Sequence, residues 1–335
     1  MHAVKEEMVY NLRIEHLFRG TNFRGVWNLG EERKARLLLV FVVVIWGLNV
    51  VMVKYLSDFF TPTMLAAWRI GAAALLLTGM TAKQYGFRKL TVGQWGTIIG
   101  IAVSGIFLHQ ITLSAGLKLT TASTGSLILG LNPLVTMVLA YVLFREPLTA
   151  RKIGGVLLGF CGVFLVVFGA SWEETSTLHF GKGEWLVVLA MLAYVISGMF
   201  IKKATQTLPV MVVTAYSHVT ATVLLAITAT GEQLVSNQPF TLPGDWFVWV
   251  VLLFSGIMAT GFGSIWWNSG IRVIGAGRTS MYINGMPMLS LIFSVLLLGE
   301  SITWIHIVGF TAVFLAIVLG TGKPKAKAAS LTTSA

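Results

Sequence analysis

Residues 128–149 read ILGLNPLVTMVLAYVLFREPLT, and residues 282–303 read YINGMPMLSLIFSVLLLGESIT. Each is an apolar run with a proline near its middle and a glutamate close to its end. Sliding the sequence by 154 positions lays 116–165 on 270–319 without a gap. Gly116 then meets Gly270, Lys118 meets Arg272, Ser126 meets Ser280, Pro133 meets Pro287, Glu146 meets Glu300 and Gly155 meets Gly309. An offset of 148 sets Trp46 on Tyr194 and Lys54 on Lys202. The chain is therefore read as a doubled unit, 37–169 repeated as 184–320.

The unit is made for lipid. Of the 335 residues, 56% are hydrophobic and 11% charged, with a mean hydropathy of +0.80; soluble domains carry about 25% charged residues. Apolar runs long enough to cross a hydrocarbon core about 30 Å thick recur along the chain. Ten spans are expected, at 37–56, 63–82, 95–115, 121–143, 152–169, 184–202, 210–229, 246–268, 276–298 and 304–320. The predicted fold class is an all-α integral membrane protein, a ten-transmembrane-helix bundle built from two inverted five-helix repeats. A basic tail, 1–36, precedes it and a low-complexity, disordered tail, 321–335, follows. With Gly20, Gly25 and Gly30 in it, the first tail is also expected to be disordered rather than helical.

The net charge of +11 is explained by sidedness rather than by nucleic acid. The first tail, every second loop and the last tail together carry 20 Lys and Arg, against Lys54, Lys118 and Lys182 on the other side. That imbalance puts both termini in the cytoplasm of a multi-pass protein of the cell membrane. Five spans per unit is odd, so the second unit enters the bilayer upside down, and Lys118 and Arg272 face opposite compartments. Inverted repeats about an axis in the membrane plane recur in secondary transporters.

The segments VIWGLNVVMVKYL (44–56), TPTMLAAWRIGAAALLL (61–77), 131–166 and 285–320 resemble the two EamA repeats of the drug/metabolite transporter superfamily. The resemblance covers about 37–320. It implies a ten-helix bundle that moves small organic solutes, often exporting amino acids or related metabolites, and it does not specify the substrate.

The residues suggest where a solute could sit. Pro133 and Pro287 are expected mid-helix, freeing the carbonyls of Leu129 and Ile283, which suits a pair of hinges. Ser280, Asn284, Pro287, Ser290 and Ser294 fall on one face, which Asn284 marks as a cavity wall; the matching stripe is Ser126, Gly130, Pro133, Thr136 and Ala140. Asn132 is expected off that stripe. Arg69 is the one charge inside a span, and either binds a substrate carboxylate or snorkels outward to tie helices. His109 could couple solute to protons, and His218 less so. Asn49 lies deep in the first span. Trp46, Tyr194 and Tyr282 offer aromatic surface for an apolar group or a cationic amine. Trp95, Trp246 and Trp304 are expected in the interfacial belt, and Glu146 and Glu300 at the turns after spans four and nine.

No catalytic residue, cofactor site or metal site is expected. There is no phosphate-binding glycine loop, no HExxH and one cysteine, Cys161. The expected partners are a small-molecule solute and membrane lipids. A multidrug efflux carrier, a passive channel or facilitator and a non-transporting receptor are the alternatives; the lack of a buried carboxylate counts against cation efflux.

Overall fold

The computed structural model describes residues 30–145, 149–175, 181–236, 242–299 and 304–321. Most of both tails, together with Glu146 and Glu300, lies outside the described residues. The chain forms α1 (Glu31–Leu56), α2 (Pro62–Tyr85), α3 (Val92–Leu119), α4 in two pieces (Ala122–Leu129 and Asn132–Phe144), α5 (Ala150–Thr175), α6 (Lys182–Ala204), α7 (Val210–Ser236), α8 (Trp246–Ile274), α9 (Ala276–Leu298) and α10 (Trp304–Thr321). Seven of these, α1, α2, α3, α6, α7, α8 and α9, are long and apolar enough to cross a membrane. In α5 and α10 the apolar cores are shorter, at Ile153–Gly162 and Ile307–Ala316.

Local chemistry sets the helix ends. The first helix begins at Glu31, six residues before the expected start, with Glu31 and Glu32 in its first turn, where carboxylates favour the positive end of the helix dipole. Arg36 pairs with Glu32 at 2.7 Å across one turn. Thr61 caps α2, with Pro62 in the first turn. Thr91 and Gln94 form a reciprocal capping box at α3. Thr91→Ala should lower stability by about 1 kcal/mol, measured as a drop in the melting temperature of the detergent-solubilised protein.

Helix boundaries recur at the repeat offsets. Leu56 and Ala204 end α1 and α6, 148 positions apart, and Pro62 and Val210 start α2 and α7 at the same offset. At an offset of 154, Val92 matches Trp246, Ala122 matches Ala276, Asn132 matches Met286 and Ala150 matches Trp304. The irregularities recur too. A π-helical stretch, Ala102–Leu108, interrupts α3, and another, Ser255–Phe262, interrupts α8.

Packing follows the same exchange. Helix α1 of the first half lies against α8 and α9 of the second, α6 of the second lies against α3 and α4 of the first, and α2 pairs with α7 and α5 with α10. One hydrophobic core runs through both halves. Outside it, Phe41, Leu75, Leu157, Phe164, Val223 and Ile227 are exposed, the apolar exterior that lipid requires. Trp246 and Trp304 stand exposed in the first turns of α8 and α10, and Trp95 near the start of α3.

Candidate functional site

Neither proline sits inside a continuous α-helix. The fourth helix breaks at Gly130–Leu131, and Pro133 is the second residue of the new piece. The ninth runs as a 3-10 helix over Met281–Gly285 before Pro287 enters the first turn of Met286–Leu298. A proline costs least there, because first-turn N–H groups have no helical partner. The expected mid-helix kinks are thus breaks, matched in both halves.

The stripe on α9 packs against neighbouring helices and does not line the central cavity. Ser280, Asn284, Ser290 and Ser294 are all buried. A Cβ on Gly47 would stand 2.7 Å from Leu289 Cβ and 3.2 Å from Ser290 N, so α1 and α9 touch almost backbone to backbone. Asn284 packs instead on α5, where a Cβ on Gly159 would approach its Nδ2 to 3.0 Å. Tyr282 is half-buried and, like Asn284, does not line the central cavity.

That cavity, of about 100 Å³, has room for several waters. It joins five of the sequence-predicted residues: Trp46, Asn49, Arg69, His109 and Tyr194. It adds Gln110, Asn132, His218, Thr260 and Ser264 among others. Fourteen of its nineteen lining residues fall into seven pairs at the repeat offsets. Trp46 pairs with Tyr194 and Ile70 with His218 at 148; Gly105 pairs with Ala259, Ile106 with Thr260, Gln110 with Ser264, Leu129 with Ile283 and Asn132 with Met286 at 154. The cavity therefore lies where the two halves meet.

The π-helical stretches supply part of the wall. Gly105 and Ile106 come from one, Ala259 and Thr260 from the other. Widening the turn to i→i+5 displaces the backbone outward and leaves groups for other partners, and the Trp46 indole donates to the Ala259 carbonyl at 2.8 Å. Around it Trp46, Tyr194 and Trp267 form an aromatic cluster, with ring centroids 4.9 to 6.2 Å apart. His109 lies 5.0 Å from the Tyr194 ring. Its repeat mate is Gly263, which faces Trp46: a Cβ there would stand 2.8 Å from Trp46 Nε1. The larger aromatic thus faces the glycine, and the smaller faces the histidine.

Each histidine has one nitrogen committed. A carbonyl oxygen only accepts, so His109 Nδ1–H donates to Ala190 O at 2.9 Å and His218 Nδ1–H to Thr214 O at 2.7 Å. In the neutral ring this leaves Nε2 as an acceptor; for His218 it lies 3.4 Å from the Ser264 hydroxyl.

Arg69 does not snorkel. It is 1% exposed, and its guanidinium donates to Ser255 Oγ at 2.6 Å, Gln110 Oε1 at 2.9 Å, Asn49 Oδ1 at 3.1 Å and Thr260 Oγ1 at 3.4 Å. The helices α1, α3 and α8 all meet α2 at this one side chain. Every partner is neutral; no carboxylate contacts Arg69 among the described residues.

This architecture is shared. A solved crystal structure, 15% identical, matches with a TM-score of 0.70 over 86% of this chain and 98% of its own, which shows the fold. The protein named uncharacterized transporter YyaM of Bacillus subtilis is 28% identical over 80% of this chain and 87% of its own length. A Chlamydia muridarum protein named S-adenosylmethionine/S-adenosylhomocysteine transporter is 25% identical over 82% of this chain and 87% of its own. The EamA-like transporter family matches twice, at residues 33–168 and 181–321. With both halves covered by that family and a central cavity shared between them, the chain belongs to the EamA-like transporter family, whose members are multi-pass membrane transporters.

Proposed function

We propose that the protein is a secondary carrier that moves a small organic metabolite by alternating access, in the direction of export, across the cell membrane with both termini cytoplasmic. The observation that carries this reading is the pairing of the cavity's lining residues at the repeat offsets. If the halves are inverted, exchanging their conformations closes the cavity to one side and opens it to the other while the lining stays in place. The matched helix breaks before Pro133 and Pro287, and the matched π-helical stretches, provide hinges where few backbone hydrogen bonds must change.

The chain also supplies ties at the two ends of the bundle. Lys54 Nζ donates to the carbonyls of Leu117 and Thr120 at 3.0 and 3.1 Å, and the Thr120 hydroxyl to Glu184 at 2.6 Å, joining α1, α3 and α6. Thr63, at the start of α2, bonds Glu232 near the end of α7. At the other end of the bundle Arg278 of α9 approaches Glu32 of α1 at 3.6 Å. Opening either side requires its own short set of polar contacts to break.

The test is counterflow in proteoliposomes. A carrier shows saturable flux that is accelerated by solute on the far side; flux that grows linearly with concentration, without trans-acceleration, would make the protein a channel. Single cysteines at Lys118 and Arg272 should be labelled by impermeant reagents from opposite faces. Labelling from the same face would remove the inverted repeat, and with it the exchange mechanism.

A further inference from the structure

Arg69 holds a buried positive charge, and its surroundings are wired in one direction. An amide oxygen must face a guanidinium N–H, so Asn49 turns Oδ1 and Gln110 turns Oε1 towards Arg69. Ser255 accepts from Arg69 Nε and donates its own O–H to Asn49 Oδ1 at 2.5 Å. Each contact with the guanidinium thus orients its partner with acceptors inward and donors outward. Asn49 Nδ2 and Gln110 Nε2 make no hydrogen bond among the described residues, and both residues line the cavity. The cavity therefore presents two amide donors backed by a full positive charge. A buried cation with only neutral ligands is poorly compensated, and no carboxylate contacts Arg69 among the described residues.

Resting on the carrier reading above, we propose that the transported solute bears a carboxylate, and that Asn49, Gln110 and Arg69 form the site that receives it. A carboxylate supplies acceptors only and one negative charge, so it completes both deficits of the cavity at once. The aromatic faces of Trp46 and Tyr194 and the Nε2 of His109, which line the same cavity, take the remainder of the solute. A purely cationic solute meets the guanidinium's repulsion in a water-poor space, where charge is weakly screened.

The experiment is a thermal-shift titration of the full chain in detergent. The probes are the common amino acids and small monocarboxylates such as 3-phenylpropionate, each paired with its primary amide and, where one exists, the amine lacking the carboxyl group. The expected result is a saturable stabilisation by one or more carboxylates and at least a tenfold weaker response to the matched amide and amine. Equal stabilisation by amide or amine, or none by any carboxylate, would overturn the anion site. Gln110→Glu supplies an internal carboxylate to Arg69; it should raise the melting temperature of the empty protein and abolish the carboxylate response. Gln110→Ala, which adds no charge, should weaken that response without the rise, so the two variants separate charge compensation from general disturbance. A carboxylate response that persists at full strength in Gln110→Glu also overturns the site. Counterflow keeps the two readings apart: saturable exchange of a carboxyl-free solute would preserve the carrier and discard the anion site, whereas carboxylate-specific stabilisation without any exchange flux would do the reverse.

Discussion

Gly256→Val should prevent the protein from folding into a monodisperse species in detergent, whereas Gly79→Val should be silent. A Cβ on Gly256 would stand 2.8 Å from the backbone carbonyl of Arg69, 3.3 Å from its Cα and 3.2 Å from Ala72 Cβ. Two of those three atoms are backbone or Cα, so no rotamer change relieves the contact and α2 must move off α8. Overpacking of this kind costs about 1–3 kcal/mol even in adaptable cores. Here the displaced residue is Arg69 itself, whose hydrogen bonds to Ser255 and Thr260 stretch with the movement and leave a buried charge under-coordinated. A Cβ on Gly79, also in α2, meets nothing within 4 Å. Size-exclusion profiles and melting curves of the two variants decide the matter: similar profiles would mean that α2 and α8 are not held as closely as Gly256 implies.

The contrast shows why some of the site was legible in the sequence and some was not. Residues on uninterrupted α-helix could be placed by depth and polarity, and Asn49 on α1 and Arg69 on α2 arrive in the cavity as those criteria suggest. Trp46 and Tyr194 were legible because the repeat aligned them. A 3.6-residue period carried through α4 and α9 puts Asn132 off the cavity face and Asn284 on it, whereas Asn132 lines the cavity and Asn284 packs on α5. The period fails because neither segment is a continuous α-helix. The 3-10 stretch Met281–Gly285 advances about 120° per residue instead of about 100°, so five residues turn the downstream face by about 100°. The break at Gly130–Leu131 resets the phase in α4 and aims Asn132 at the cavity, where Thr136 bonds its Oδ1 at 2.9 Å.

Gln110, Thr260 and Ser255 were missed for a different reason. Polar residues within apolar helices carry no label of their own, and their importance here comes from Arg69, four helices converging on one guanidinium. One signal was nevertheless present. Gln110 and Ser264 occupy equivalent positions in α3 and α8, and polar residues at matching positions of both halves mark a shared wall. The π-helical stretches had no sequence signature, and they decide which residues of α3 and α8 turn inward.

The most severe effect on transport should come from Gly263→Ala, with partial recovery in the double variant Gly263→Ala, Trp46→Phe. A Cβ at 263 would press on the Trp46 indole at 2.8 Å from Nε1 and 3.6 Å from Cδ1, the same nitrogen that donates to Ala259 O. The ring cannot retreat without losing that bond, and Tyr194 and Trp267 pack against it. The displaced indole moves into a space of only about 100 Å³, so the solute loses room and an aromatic wall together. A loss of flux of about tenfold or more corresponds to about 1.4 kcal/mol, the range expected for one misplaced buried group. Phenylalanine at 46 removes the nitrogen that collides and also the donor to Ala259, so alone it should slow transport modestly while relieving the clash in the double variant. The signature is therefore non-additivity in counterflow rates, with a coupling that favours the pair. Additive losses would show that Gly263 and Trp46 act separately. The matching of a large aromatic with glycine in one half, and of Tyr194 with His109 in the other, would then be a feature of packing with no bearing on how the cavity accepts its solute.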